Sequence, residues 1–186
     1  DSQVNEGIRD PIKVYEYMNK FYVLEGNKRV SVLKYFNAVT VTAEVIRKVP
    51  KKSDDPDIKI YYEFMDFYRN SKINYVVFTR KGSYQKLCQY VGKGEDEQWS
   101  EDDCMNFSSF HVAFYNAYKA MDGNELKGMT EDDAMLFYLS LYPYSESMEK
   151  LSGEIKKDLA KIWQEIVTLA EDEPVELLTV PNTETS

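Results

Sequence analysis

Hydrophobic and polar positions change period several times along the chain. In "IKVYEY" (12–17), Ile12 and Val14 alternate with Lys13 and Tyr15, the period-2 signature of a half-buried strand. Met18-Asn19-Lys20 supplies a turn, and "FYVLE" (21–25) returns as a second strand, which predicts a hairpin. Gly26 breaks the run. From Asn27 to Phe36 the apolar residues Val30, Leu33 and Phe36 fall at helical spacing, with Val32 beside them. "VTVTAEVIRKV" (39–49) is dense in β-branched residues and predicts a third strand.

The polar, proline-bounded "PKKSDDPD" (50–57) reads as a linker. Beyond it the helical period takes over. "IKIYYEFMDFYRN" places Ile60, Phe64, Phe67 and Tyr68 on one face, and "INYVVF" (73–78) predicts a short buried strand. A helix from Ser83 to about Val91 follows, with Ser83 as its predicted N-cap. Ser100 with Asp103, and Thr130 with Asp133, have capping-box spacing and open two more helices, the first running to about Met121. Ser145 or Ser147 is expected to start the last long helix, along which Leu151, Ile155, Leu159, Ile162, Ile166 and Leu169 recur every three or four residues. The expected organisation is therefore α+β: a small mixed domain over 1–49, a linker over 50–57, a mostly helical domain over 58–173 and a flexible tail over 174–186.

Composition agrees with a globular chain of 186 residues, 43% apolar and 14% aromatic. No apolar run approaches the ~20 residues that span a bilayer, and no secretory signal is visible, so no membrane partner and a cytoplasmic location are expected. Two cysteines without a CxxC pair and one histidine do not make a zinc site, and no metal centre is expected. Cys88 and Cys104 read as small buried apolar residues, and His111, in "FSSFHVAFY", as a structural histidine. The chain opens at Asp1 without a methionine, which suggests a fragment or a processed product.

Charge changes the picture more. Residues 1–52 carry a balance of +4, residues 53–94 of +2 and residues 95–186 of −15. The asymmetry suggests an anion-tolerant front and a back that would repel nucleic acid or acidic membranes, the alternative being that the acidic half is simply a solvated set of helix faces. Within the front, Gly26-Asn27-Lys28-Arg29 sits where a strand gives way to a helix N-terminus. Such a junction points unpaired N–H groups and the positive end of the helix dipole outward, and cations are disfavoured there unless an anion arrives. The alternative is that Lys28 and Arg29 are solvated residues of a first turn. Arg80-Lys81-Gly82-Ser83-Tyr84 repeats the arrangement as a second anion-site candidate, with a solvated loop as its alternative.

The segment Asn5–Ile46 resembles the ParB/sulfiredoxin-like domain. Gly7-Ile8-Arg9-Asp10-Pro11-Ile12-Lys13-Val14 is similar to the family's glycine-ended helix and x-x-P-I-x-V strand, and Glu25-Gly26-Asn27-Lys28-Arg29 to its glycine-led basic box. The resemblance implies a small mixed α/β fold and a nucleotide-phosphate site at Gly26, Asn27, Lys28 and Arg29. It further implies cytidine triphosphate or an adenine nucleotide, ATP or ADP, as ligand, with magnesium, in a bacterial-type protein. The family's leading helix reduces here to Asp1–Glu6, so the domain is expected to be truncated at its start. Sulfiredoxin's cysteine position is Asn27, which removes that chemistry, and the partition proteins' second motif has no confident equivalent.

Three functions compete. The first is a nucleotide-binding regulatory protein, related to DNA-partition or transcription regulators, with DNA at the basic N-terminal half. The second is a small-molecule kinase or phosphohydrolase with Glu25 as general base, the alternative for Glu25 being that it caps or pairs with Lys28 or Arg29. The third is a protein–protein interaction module whose nucleotide box is degenerate, binding a partner or another copy of itself through its helical domain.

Overall fold

The computed structural model describes residues 11–35, 41–94 and 96–171. It is mixed: a three-stranded sheet accompanied by helices, the α+β class expected. The chain divides into two compact units, 1–62 and 63–186.

The first unit is built on β1 (Ile12–Tyr17), β2 (Lys20–Glu25) and β3 (Ala43–Arg47) in the order β2-β1-β3, with β2 antiparallel and β3 parallel to β1. The hairpin turn is tighter than predicted. Met18 (φ 52°) and Asn19 (φ 61°) alone make it, both left-handed, the conformation that matches the twist of the flanking strands. Helix α1 (Asn27–Tyr35) joins β2 towards β3, and β3 is shorter than the predicted 39–49. Phe36 and residues 37–40 lie outside the described residues.

The alternation in β1 is confirmed with one substitution of kind. Ile12, Val14 and Glu16 face inward, at 4%, 4% and 1% exposure, so the third buried position is a carboxylate. Glu16 is satisfied on every side. Its Oε1 accepts the Asn19 N–H at 2.7 Å, its Oε2 accepts the Tyr61 hydroxyl at 3.0 Å, and the Arg47 guanidinium pairs with it from β3. Burial, then the bond to Glu16, pushes the Tyr61 phenol well above the usual tyrosine range. One side chain thus ties the hairpin turn, the parallel strand and the start of the next helix.

That helix, α2 (Pro56–Ser71), begins where Asp55 accepts the Asp57 N–H at 2.9 Å. It buries Ile60, Phe64 and Phe67 at four- and three-residue spacing, with Tyr61 beside them.

In the second unit, residues 73–78 are buried at Ile73, Val76 and Phe78 but form no ladder. The segment is buried as expected, but it is not the expected strand. Val77 N–H donates to Asp132 Oδ2 at 2.7 Å, Thr79 N–H to Asp133 Oδ1 at 3.2 Å, and Thr130 Oγ1 donates to the Val77 carbonyl at 2.6 Å. Side chains at the head of a helix thereby take the place of a neighbouring strand.

Helix α3 (Ser83–Tyr90) is preceded by Gly82 at φ 81°, which is the N-cap in place of the predicted Ser83. Both predicted capping boxes form, Ser100 with Asp103 opening α4 (Glu101–Lys119) and Thr130 with Asp133 opening α5 (Glu131–Leu141). The last helix does not start at Ser145 or Ser147. A single turn, α6 (Tyr144–Ser147), ends there, and α7 (Ser152–Glu171) begins after Glu154 accepts the Leu151 N–H at 3.0 Å.

Phe107, Phe110, Phe114, Met135, Tyr138, Ile155, Leu159 and Ile166 form the core of this unit. Trp99 meets Phe67 and Phe107 edge-on, at 5.7 Å and 5.6 Å between ring centres, and Trp163 lies 5.7 Å from Tyr118. Cys88 is buried and Cys104 half-buried, both as free thiols. Among the described residues no helix is long and apolar enough to cross a membrane.

Removing Glu16 takes away the buried carboxylate that Arg47 and Tyr61 share, and breaking a buried ion pair from one side costs about 3–5 kcal/mol. Glu16→Ala is therefore expected to lower the stability of the first unit by that order, read by urea denaturation followed by circular dichroism. Asp103 gives a second expectation. The Lys93 ammonium, at 2.7 Å, with help from the Ser100 amide and hydroxyl, holds its carboxyl down at about 2, against an ordinary 3.8. A depressed carboxylate stabilises above its ordinary value and loses that contribution as pH falls through its folded value. The stability gap between the unaltered protein and Asp103→Asn should be full above about pH 4 and close towards pH 2.

Candidate functional site: the strand-to-helix junction at Gly26

Each predicted box residue falls on one junction. β2 ends at Glu25, Gly26 turns the chain at φ 102°, and α1 starts at Asn27. A Cβ on Gly26 would sit 2.7 Å from Ile12 Cγ2 and 3.4 Å from Arg29 Nε, so glycine is required both by the turn and by the packing against β1. The first N–H to find an acceptor inside the helix is that of Val30, on the Gly26 carbonyl at 3.0 Å. The amides ahead of it have none within the helix.

The first turn of α1 contains no acidic side chain, in contrast to the three acids that open each of α4 and α5. Where those helices meet their positive ends with carboxylates, α1 meets its own with Asn27, Lys28 and Arg29. Lys28 and Asn27 are exposed and Arg29 is half-buried. Ser31 Oγ donates back to the Asn27 carbonyl at 3.0 Å. The arrangement can accept an anion through backbone N–H groups, with Lys28 and Arg29 adding charge.

Glu25 does not pair with Lys28 or Arg29 as one alternative had it. It pairs with Lys13, across the hairpin at 3.5 Å, and both side chains are open to solvent. The Gly7–Asp10 part of the resemblance lies outside the described residues.

At the second candidate the structure separates neighbours in sequence. Gly82 N–H donates to Glu63 Oε2 at 2.7 Å, and the Arg80 guanidinium donates to the Leu169 carbonyl near the end of α7 at 3.1 Å. Lys81 and Ser83 line a cavity of about 290 Å³ together with Lys86, Leu136 and Phe137. Lys86, Leu136 and Phe137 were missed by the sequence reading because they reach the cavity from one helix turn further on and from α5. A separate cavity of about 280 Å³ lies between Glu63, Asp66, Phe67 and Tyr84.

His111 is placed as a structural residue. Its Nε2 is 2.7 Å from Asp132 Oδ1, and Tyr75 packs on its ring at 4.9 Å. Burial raises the Asp132 carboxyl, against the lowering effect of His111. Among the described residues no cluster of three or more His, Cys, Asp or Glu side chains is placed to hold a metal ion.

Comparison with family models, with curated proteins and with solved structures finds no match to this chain. The case for a site therefore stands on its geometry and on the order of residues in Asn5–Ile46.

Gly26→Ala tests whether the junction is as constrained as its geometry says. A left-handed backbone at a non-glycine residue costs of order 1–3 kcal/mol, and the crowding at Ile12 adds to it. The variant should lose at least ~1 kcal/mol in chemical denaturation, whereas Asn27→Ala, in the exposed first turn, should lose much less.

Proposed function

We propose that this chain is a regulatory protein that takes the phosphates of a nucleotide at the β2–α1 junction. The observation that carries the reading is the junction itself. A glycine at φ 102° leads into a helix whose first turn has no carboxylate and whose Lys28 is exposed. Cations at a helix N-terminus are mildly unfavourable alone and favourable once an anion is bound. The order of elements supports the ParB/sulfiredoxin-like reading: strand, hairpin strand, glycine-led basic helix, then a strand parallel to the first.

In this reading Gly26 allows the phosphates close to the backbone, the amides of Asn27 and its successors donate to them, and Lys28 and Arg29 neutralise them. CTP, ATP or ADP, with magnesium, is the ligand class, and the setting is the cytoplasm. The basic first unit is where DNA would be met, and the acidic helical unit is where a protein partner would be held. The pairing of Glu25 with Lys13 favours binding over a kinase or phosphohydrolase with Glu25 as base, because that carboxylate already has a cationic neighbour directed across the hairpin.

A thermal-shift titration with CTP, ATP, ADP and GTP, with and without magnesium, tests this. A ligand at 100 times its dissociation constant stabilises by about 2.7 kcal/mol, a plain rise in melting temperature. The shift should be selective for one nucleotide and disappear in Lys28→Ala and Arg29→Ala, each with an unchanged circular dichroism spectrum. No shift with any nucleotide would remove the reading and leave the junction as a structural turn.

A further inference from the structure

The sheet of the first unit leaves one strand edge in an unusual condition. β2 pairs with β1 on one side and with no strand on the other among the described residues. Its side chains are apolar and exposed, Phe21 at 56%, Tyr22 at 53% and Leu24 at 44%. Of the devices that normally protect such an edge, a central lysine, a proline, an inward charge or a bulge, β2 has only a bulge, near its end. Here the only charges are at the two ends, Lys20 and Glu25.

Those ends are placed by an irregularity. Val14 pairs with Val23 and Lys13 with Glu25, so Leu24 is an extra residue, a bulge. Lys20 lies opposite Tyr17 and Tyr22 opposite Tyr15, on the face that carries Lys13. Without the bulge Glu25 would turn to the other face. With it, Lys20, Tyr22 and Glu25 share one face of β2, a cation at one end, an anion at the other and an aromatic ring between them.

We propose that β2 is an interaction edge whose occupant is the β2 strand of a second copy of this chain, added antiparallel about a two-fold axis at Tyr22. Residues directly opposite in an antiparallel pair share a face, so the axis must pass through a residue and not between two. At Tyr22 it sets Tyr22 against its own counterpart. On the opposite face it sets Phe21 against Val23, twice. It brings Lys20 of each copy to the bulge of the other, where Glu25 is on the same face and of opposite charge, shared with its own Lys13 at 3.5 Å. On β3, the other edge, an axis at Val45 would set Glu44 against Ile46 and Ala43 against Arg47 with no charge matched, and only an axis at Ile46, reaching Lys48 beyond the strand's end, would set Glu44 against a cation. This surface ends at Glu25, the residue before Gly26, and the proposal does not depend on what binds at that junction.

Sedimentation equilibrium of the whole chain over a wide concentration range is the first reading. A species of twice 21.7 kDa is expected, and a monomer throughout would overturn the proposal. Tyr22→Lys sets two cations on the axis and should abolish the dimer with the circular dichroism spectrum unchanged. A dimer that survives it lies elsewhere.

Lys20→Glu and Glu25→Lys give a test that misfolding cannot imitate. Each variant alone faces like charge at both ends of the strand pair and should be monomeric. Mixed, every end meets its opposite, and a heterodimer should return. Failure of the mixture to associate beyond the separate variants would reject the register.

Discussion

An extended segment buried without a strand beside it must find acceptors and donors for its backbone elsewhere, and in this protein two adjacent carboxylates meet that demand. Asp133 caps α5 through Thr130 and at the same time holds the Thr79 amide and hydroxyl. Asp132 takes the Val77 amide with one oxygen and His111 of α4 with the other. The aromatic core of the second unit closes around the result, since Val76 and Phe78 are directed inward by this anchoring and Tyr84 donates to the Val76 carbonyl at 2.9 Å. A buried carboxylate is tolerable only when its oxygens are occupied, and here the occupation is also what joins the extended segment to two helices. Glu16 plays the same part in the first unit, for a strand, a turn and a helix.

What the sequence disclosed was mostly local. Alternation in 12–17, the glycine at 26 and the spacing of Ser100 with Asp103 and Thr130 with Asp133 each act within a few residues, and each produced the element expected. What it concealed was long-range. The apolar character of 73–78 says that the segment is buried, but not whether its backbone faces a strand or the carboxylates of residues more than fifty positions later. The start of α7 was misplaced for a related reason. Ser145 and Ser147 have cap chemistry, but Ser147 is fully buried, and the chain makes one separate turn before Leu151 and Glu154 open the helix.

The candidate site was legible to the same degree. Strand, glycine and basic first turn were readable from residues 21–29, and the structure adds that Gly26 is pressed against Ile12 and that Glu25 reaches Lys13. The cavity beside Lys81 was half legible, its loop visible in sequence and its apolar walls not. The charge gradient has a physical counterpart in the capping of the helices. α4 and α5 meet their positive ends with three acids each, and α1 does so with none. Acidity in the second half is thus partly a property of how its helices begin.

Both tryptophans, Trp99 and Trp163, belong to the second unit, each packed against aromatic neighbours there. Indole emission from this protein is therefore a report on the helical unit alone. The sheet unit carries tyrosine but no tryptophan, so that signal has no reporter of its own there. An optical melting curve taken at tryptophan wavelengths reads two thirds of the chain, and the third it leaves dark is the one that holds Gly26.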